Sequence, residues 1–214
     1  MATPGDDRGG RARAAAIVLA AGSSSRMGRS KQLLEIAGCS LVRHVVEVAR
    51  AASLSPVVVV VGAEGQAIRA EIADLDVSAV ENASWREGIA SSLQCGLRAL
   101  PGTAELALVL LCDQPAVSAS LLQAMLQAQR QTGKEIVACR YAGALGAPAL
   151  FARSRFPELL ALAGDVGART LLRRAGDEAA IVDFPEGAFD LDTPEDWRRW
   201  QGRAGASGGS SGRP

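Results

Sequence analysis

Short apolar runs alternate with segments of helical period along the middle of the chain, between two polar ends. Residues 15–20 are an unbroken apolar run of strand length, which suits a strand buried on both faces. Leu41, Val45, Val48 and Ala52 follow at spacings of four, three and four, one face of a helix over 40–52. Five consecutive valines make 56–61 the clearest parallel-strand signal. The pattern then predicts a short helix over 66–73, a short strand over 77–80, and a helix over 89–100 with Ile89, Leu93 and Leu97 on one stripe. Residues 106–111 form another solid apolar strand, after which Ser118 or Ser120 caps a helix reaching about Gln131. Strands at 135–139 and 147–151, helices at 156–162 and 168–175, and a strand at 180–184 follow. The last helix, 194–200, has Pro194 in its first turn. This alternation predicts an α/β fold: one domain over 14–201, three-layered and Rossmann-like, with a mainly parallel sheet and helices on both faces.

The ends do not continue the pattern. Residues 1–13 are small, polar and dotted with arginine, and 202–214 are mostly glycine, serine and alanine, so both are expected as disordered or flexible extensions. The apolar run at 14–21 is barely long enough for the core of a signal peptide and leads into a patterned polar loop rather than a cleavage site, so a cytoplasmic protein is expected. No apolar run approaches the roughly 18 residues a membrane helix needs. Lysine plus arginine balances aspartate plus glutamate at 23 each, and aromatics are 4%. With neither a basic excess nor a stacking platform, no nucleic-acid partner is expected. The four cysteines lack a CxxC pair and there is one histidine, which excludes the structural zinc patterns.

Ligands of open α/β sheets bind beyond the carboxyl ends of the strands. The first such end reads Leu19, Ala20, Ala21, Gly22, Ser23, Ser24, Ser25, Arg26, Met27, Gly28, Arg29, Ser30, Lys31. Small residues over 20–25 let backbone N–H groups approach an anion, while Arg26 and Lys31 supply charge. The stretch reads as a polyphosphate cradle or as an ordinary connection. It is not a Walker A loop, because Gly28 and Lys31 are separated and Gln32 follows the lysine; nor is it GxGxxG. Asp113, directly after the strand at 106–111, can hold Mg²⁺ or make a turn ahead of Pro115. Asp190 and Asp192 alternate along an extended segment, so only one faces a shared metal, and Asp192 can equally cap the helix near Pro194. Asp165 is a substrate contact or a turn, and Ser91 and Ser92 satisfy free N–H groups at a helix start or meet a ligand. His44 reads as a solvated or core-edge residue, Trp197 and Trp200 as packing, and Cys112 as no nucleophile.

Six segments carry a family resemblance. They are Leu19-Ala-Ala-Gly-x-x-x-Arg26-Met27-Gly28-x-x-Lys31; Asn82 with Trp85 and 88–93; Cys112-Asp113-Gln114-Pro115; Gly146-x-Pro148-Ala149-Leu150-Phe151; 164–169; and 190–196. In this order they resemble the nucleotidyltransferases that activate small phosphorylated molecules, most of all the molybdenum cofactor cytidylyltransferases and their guanylyltransferase cousins. The resemblance implies a nucleotide-diphospho-sugar transferase-like fold and Mg²⁺-dependent transfer of CMP from CTP to the phosphate of molybdenum-molybdopterin. It implies catalytic roles for Arg26, Lys31 and Asp113. It implies nucleotide contacts from Leu19, Ala20, Ala21, Gly22, Ser23, Ser24, Arg26, Lys31, Asn82, Ser91, Ser92 and Asp113. Mg²⁺ would sit on Asp113 and, of the later pair, on Asp192; the acceptor would meet Gly146, Pro148 and Asp165. CTP, a molybdopterin-type acceptor and a recipient molybdoenzyme are the implied partners.

The cytidylyl branch is favoured because the guanylyl branch tends to have a second glycine at the position of Ala21. Ala147 departs from the pattern, since relatives often carry histidine or another polar residue there, and the N-terminal extension lies outside the family core. Rival readings are guanylyl transfer to the same cofactor, cytidylyl transfer to another small phosphate, and a cofactor carrier without catalysis. Arg26, Lys31 and Asp113 argue against the carrier, which has no need of a metal-triphosphate site.

Overall fold

Strand β1 (Ala14–Ala20) pairs in parallel with β4 (Val57–Val61) on one side and β6 (Leu106–Leu111) on the other. Both neighbours are apolar at every position, as a strand covered on two faces requires. Residues along β4 divide between two cores: Val57, Val59 and Val61 face one, Val58 and Val60 the other. The first core packs under α1 (Leu41–Ala51), α2 (Gly65–Glu71), α4 (Ala119–Thr132) and α7 (Pro194–Ser207). The second packs under α3 (Ile89–Ala99), α5 (Phe156–Leu160) and α6 (Arg169–Ala175). The result is the three-layered, mainly parallel arrangement that the hydrophobic pattern predicts.

The computed structural model describes residues 13–207, so the expected extensions at 1–12 and 208–214 lie outside the described residues. The strand order is β5-β4-β1-β6-β8-β7-β9, completed by β5 (Ser78–Glu81), β7 (Ile136–Tyr141), β8 (Ala144–Ala152) and β9 (Ala180–Asp183). Only β8 runs against its neighbours, antiparallel to both β6 and β7. Val109 of β6 therefore pairs with Ala149, and the earlier part of β8 reaches the carboxyl edge of the sheet. That reversal brings residues near Ala147 beside the loops that follow β1 and β6.

Three features differ from expectation. A small hairpin, β2 (Glu35–Ile36) and β3 (Cys39–Ser40), turns through Ala37 and Gly38, both at positive φ (50° and 84°). Two-residue strands are too short to show a period. β8 is nine residues long where five were predicted, because its first half extends a hairpin with β7. Finally, α7 continues through Ser207, six residues into the stretch expected as a tail. Ser118, not Ser120, caps α4 by accepting from the Leu121 N–H. Trp197 is buried, and Trp200 stacks on Phe189 with ring centroids 5.9 Å apart. No helix among the described residues is long and apolar enough to cross a membrane.

Candidate functional site

The loop after β1 is braced from beneath. Gln32, 2% exposed, donates through Nε2 to the carbonyls of Gly22 (2.8 Å) and Ala20 (3.2 Å). Its Oε1 accepts from the hydroxyls of Ser30 (2.8 Å) and Ser24 (3.0 Å). Ser24 sits at φ 53°, accepts the Lys31 N–H on its Oγ at 3.0 Å, and accepts the Met27 N–H on its carbonyl at 2.9 Å. Among the described residues, the backbone N–H groups of 22–25 donate to no other protein group, as an anion cradle requires.

The loop delivers Lys31 to two carboxylates. Its Nζ lies 2.6 Å from Asp113 Oδ2 and 3.1 Å from Asp192 Oδ1, while Arg26 Nη2 lies 2.9 Å from Asp192 Oδ2. Asp113 follows β6 directly, and its carbonyl accepts the Leu191 N–H at 2.9 Å, which docks the late segment beside it. Asp192 is not a helix cap. Thr193 and Asp196 form a reciprocal capping box at the start of α7, with Thr193 N–H to Asp196 Oδ2 at 2.9 Å and Asp196 N–H to Thr193 Oγ1 at 3.2 Å. Asp190 faces Gln114 instead and does not join the Lys31 pair.

The electrostatics follow from this geometry. Burial by itself lowers the Lys31 pKa, but Asp113 and Asp192 outweigh it and hold the ammonium above its ordinary value. Asp190 is pushed up to about 6, first by burial and then by repulsion from Asp113 and Asp192. Burial also raises the Cys112 thiol, which suits an inert core residue rather than a nucleophile. The His44 ring hydrogen-bonds the Pro115 carbonyl and is lowered by burial.

Beside the cluster opens a cleft of about 540 Å³, walled by Leu19, Ala21, Gly22, Ser23, Lys31 and Asp113 from the predicted set, with Ser92 and Asp165 opposite. Trp85 and Arg86 also line it, the Arg86 guanidinium 4.3 Å above the Trp85 ring. Ala20 is not on this wall: it is 1% exposed, in the core. Asn82 and Ser91 are turned inward as well. The Asn82 amide donates to Ser91 (2.8 Å) and Ser92 (3.0 Å) and its Oδ1 accepts the Ser84 N–H, so these residues hold the start of α3. Gly88, at φ 108°, lies against the backbone of Gly164; a Cβ there would overlap it, and the contact sets the loop carrying Asp165.

A second cavity of about 290 Å³ shares Leu19, Ile89, Leu111 and Asp165 with the first and ends at Tyr141, Ala147 and Arg169. Of the residues expected to meet the acceptor, Asp165 lines both cavities. Gly146 and Pro148 are buried and line neither cavity; Ala147 and Ala149, the alternate residues, face the space. Gly146 instead makes room for the Tyr141 hydroxyl, which a Cβ would strike. Sequence reasoning also missed Gln32, Arg86 and Tyr141, and gave no role to Trp85 or Arg169 although both lie in the resembling segments.

Residues 16–179 match the MobA-like NTP transferase domain. The chain is 30% identical over 196 residues to nicotine blue oxidoreductase of Paenarthrobacter nicotinovorans, covering 86% of this chain and 94% of that protein. Rv0371c of Mycobacterium tuberculosis, solved in complex with manganese, superposes with a TM-score of 0.71 at 30% identity over 87% of this chain and 97% of that one. Molybdopterin-guanine dinucleotide biosynthesis protein A of Archaeoglobus fulgidus shares the fold, with a TM-score of 0.63 at 18% identity over 89% of this chain and 98% of that one. The matched span takes in β1 with its loop, β6 with Asp113, and both cavity walls. The protein is a nucleotidyltransferase, and the chain belongs to the MobA-like NTP transferase domain family.

Proposed function

We propose that the protein transfers CMP from CTP to the terminal phosphate of molybdenum-bound molybdopterin and releases pyrophosphate. The observation that carries this reading is the cluster of Lys31, Asp113, Asp192 and Arg26, with contacts of 2.6–3.1 Å, whose Lys31 and Asp113 line the larger cleft together with the loop that holds the open N–H groups. An oxygen of the acceptor phosphate forms the new bond to the α-phosphorus as the bond to the bridging oxygen of the β-phosphate breaks. Negative charge therefore grows on the pyrophosphate. The backbone of 22–25 and the Lys31 ammonium are placed to receive it, fixed before the reaction begins. Arg26, whose side chain is 71% exposed, is free to turn from Asp192 onto a phosphate.

Asp113 and Asp192 fit a divalent cation. Asp113 Oδ1 is buried without a partner, and the Lys31 ammonium stands between the two carboxylates where positive charge is wanted. No group of three or more His, Cys, Asp or Glu is gathered among the described residues, so substrate phosphates would complete the shell, as Mg²⁺ prefers. When bound, Mg²⁺ offsets charge on the phosphates. The manganese complex of the mycobacterial relative supports the use of a divalent ion.

The second cavity suits the acceptor, with Arg169, Tyr141 and the shared Asp165 as its polar side chains. Ala21, 3% exposed on the cleft wall, supports cytidine: its methyl narrows the cleft against a larger ring, a discrimination worth about 1–3 kcal/mol. The oxidoreductase name of one relative does not redirect the reading, since residues 19–24 lack the GxGxxG spacing of a dinucleotide loop. Thermal unfolding with Mg²⁺ and each nucleoside triphosphate tests it. At a hundred times its dissociation constant CTP stabilises the fold by about 2.7 kcal/mol. The expected result is a CTP-selective shift lost in Asp113→Ala, followed by pyrophosphate release when the molybdopterin acceptor is added. A GTP-selective shift moves the protein to guanylyl transfer, and no shift with any nucleotide overturns the reading.

A further inference from the structure

Gln32, one of the two departures of this loop from a Walker A sequence, is also the residue beneath it. Gln32 is 2% exposed, and a buried amide is stable only when its groups are paired. Here the pairing is complete. Both Nε2 hydrogens go to carbonyls of the loop, Ala20 and Gly22, and both Oε1 lone pairs take hydroxyls, Ser24 and Ser30, across up to twelve residues of chain. A peptide unit carries its C=O and N–H on opposite sides. Holding the Gly22 carbonyl toward Gln32 therefore turns the Ser23 N–H the other way, and Gly22 and Ser23 are the residues that line the cleft. Through Ser24 the same amide reaches Lys31: Ser24, in the left-handed region, shares its hydroxyl between Gln32 Oε1 and the Lys31 N–H. One side chain thus sets both components of an anion site, the direction of the backbone donors and the place where the lysine leaves the loop.

We propose that Gln32 is a positioning residue for triphosphate binding, holding residues 20–24 in their anion-receiving form before any ligand arrives. The inference rests on the reading of this loop as the triphosphate cradle. Gln32 reaches the floor of the cleft, but its amide is fully engaged by the loop and offers no polar group to a ligand, so it acts through the loop. Without it the loop samples conformers in which carbonyls as well as N–H groups face the cleft, and ligand binding must select the competent one.

Gln32→Met keeps the length and apolar stem and removes all four hydrogen bonds. Gln32→Glu keeps the two serine bonds and sets a carboxylate against two carbonyls. Ser30→Ala removes one bond at the rim and serves where the buried variants fail to fold. The probes are Mg²⁺ with inorganic tripolyphosphate, read by thermal shift, and steady-state kinetics with CTP and acceptor. In Gln32→Met we expect tripolyphosphate affinity and the KM for CTP each to worsen about tenfold. The KM for the acceptor should be unchanged and the ligand-free protein should still unfold cooperatively. Gln32→Glu should be as impaired or worse, and Ser30→Ala impaired two- to threefold. A general loss of structure lowers the active fraction and kcat without moving one substrate's KM, so that pattern in the variants overturns the proposal. Wild-type tripolyphosphate affinity retained in folded Gln32→Met, or in Ser30→Ala where Gln32→Met does not fold, overturns it as well. Should the wild type itself show no response to tripolyphosphate or any nucleotide, the cradle reading fails, and the assignment of Gln32 falls with it.

Discussion

Asp190 carries a charge its surroundings oppose. Burial, then repulsion from Asp113 and Asp192, pushes it up to about 6 from an ordinary 3.8, so the folded protein holds a proton that the unfolded chain has released between those values. Stability from this group is complete below about pH 4 and is lost as pH rises through about 6. Asp190→Asn should therefore stabilise the metal-free protein at pH 7–8, by roughly 1 kcal/mol once its partial exposure is allowed for, with no gain near pH 4. Denaturant unfolding in chelator at the two pH values checks this, and a gain equal at both rules out titration as its cause. At this scale the charged members of the site were legible. Arg26, Lys31 and Asp113 sit among small residues at strand ends, where a charge has little structural purpose. Gln32 and Tyr141 were not, because a neutral side chain declares a role only through atoms it meets at a distance: Gln32 finds carbonyls ten and twelve residues back, and the Tyr141 hydroxyl crosses Gly146 in the next strand.

Elements position these residues, and the contact between the start of α3 and the loop before α6 does so with least tolerance. Gly88 combines φ 108° with direct backbone packing on Gly164, and the Gly164 carbonyl accepts the Ala90 N–H at 3.1 Å. Gly88→Ala meets both a conformational and a steric penalty and should cost about 2–4 kcal/mol. It should also move Asp165 and weaken substrate binding beyond the stability loss; thermal unfolding with and without nucleotide reads both effects. The elements themselves were legible to different degrees. The valines of β4 and the short apolar runs of β1 and β6 announce buried strands through their length and, in β4, their β-branching. The direction of β8 was hidden, since a run buried on both faces has no polarity. Its pairing with β7 also decided that Ala147 and Ala149, not Gly146 and Pro148, face the smaller cavity.

Across the whole molecule, two cavities meet at Leu19, Ile89, Leu111 and Asp165, a partition that on the proposed reading keeps two substrates apart while letting their reacting phosphates approach. Substitutions on either side should separate in kinetics. Lys31→Ala should lower kcat about a hundredfold, as expected for loss of a preorganised charge partner. Arg169→Ala should raise the acceptor KM about tenfold and leave the KM for CTP unchanged; equal effects on both would rule out an acceptor role for Arg169. The long reach of the cluster has a consequence for biogenesis. Lys31 and Asp192 are 161 positions apart, and the segment that brings Asp192 is made only after all seven strands of the sheet. A chain still emerging from the ribosome can assemble β1, β4 and β6 while its lysine faces Asp113 alone. A metal-bound triphosphate therefore meets the full cluster of Lys31, Asp113, Asp192 and Arg26 only after this late segment has docked. On the proposed reading its full binding energy is gained only by the finished protein, where it lengthens the time each folded chain survives.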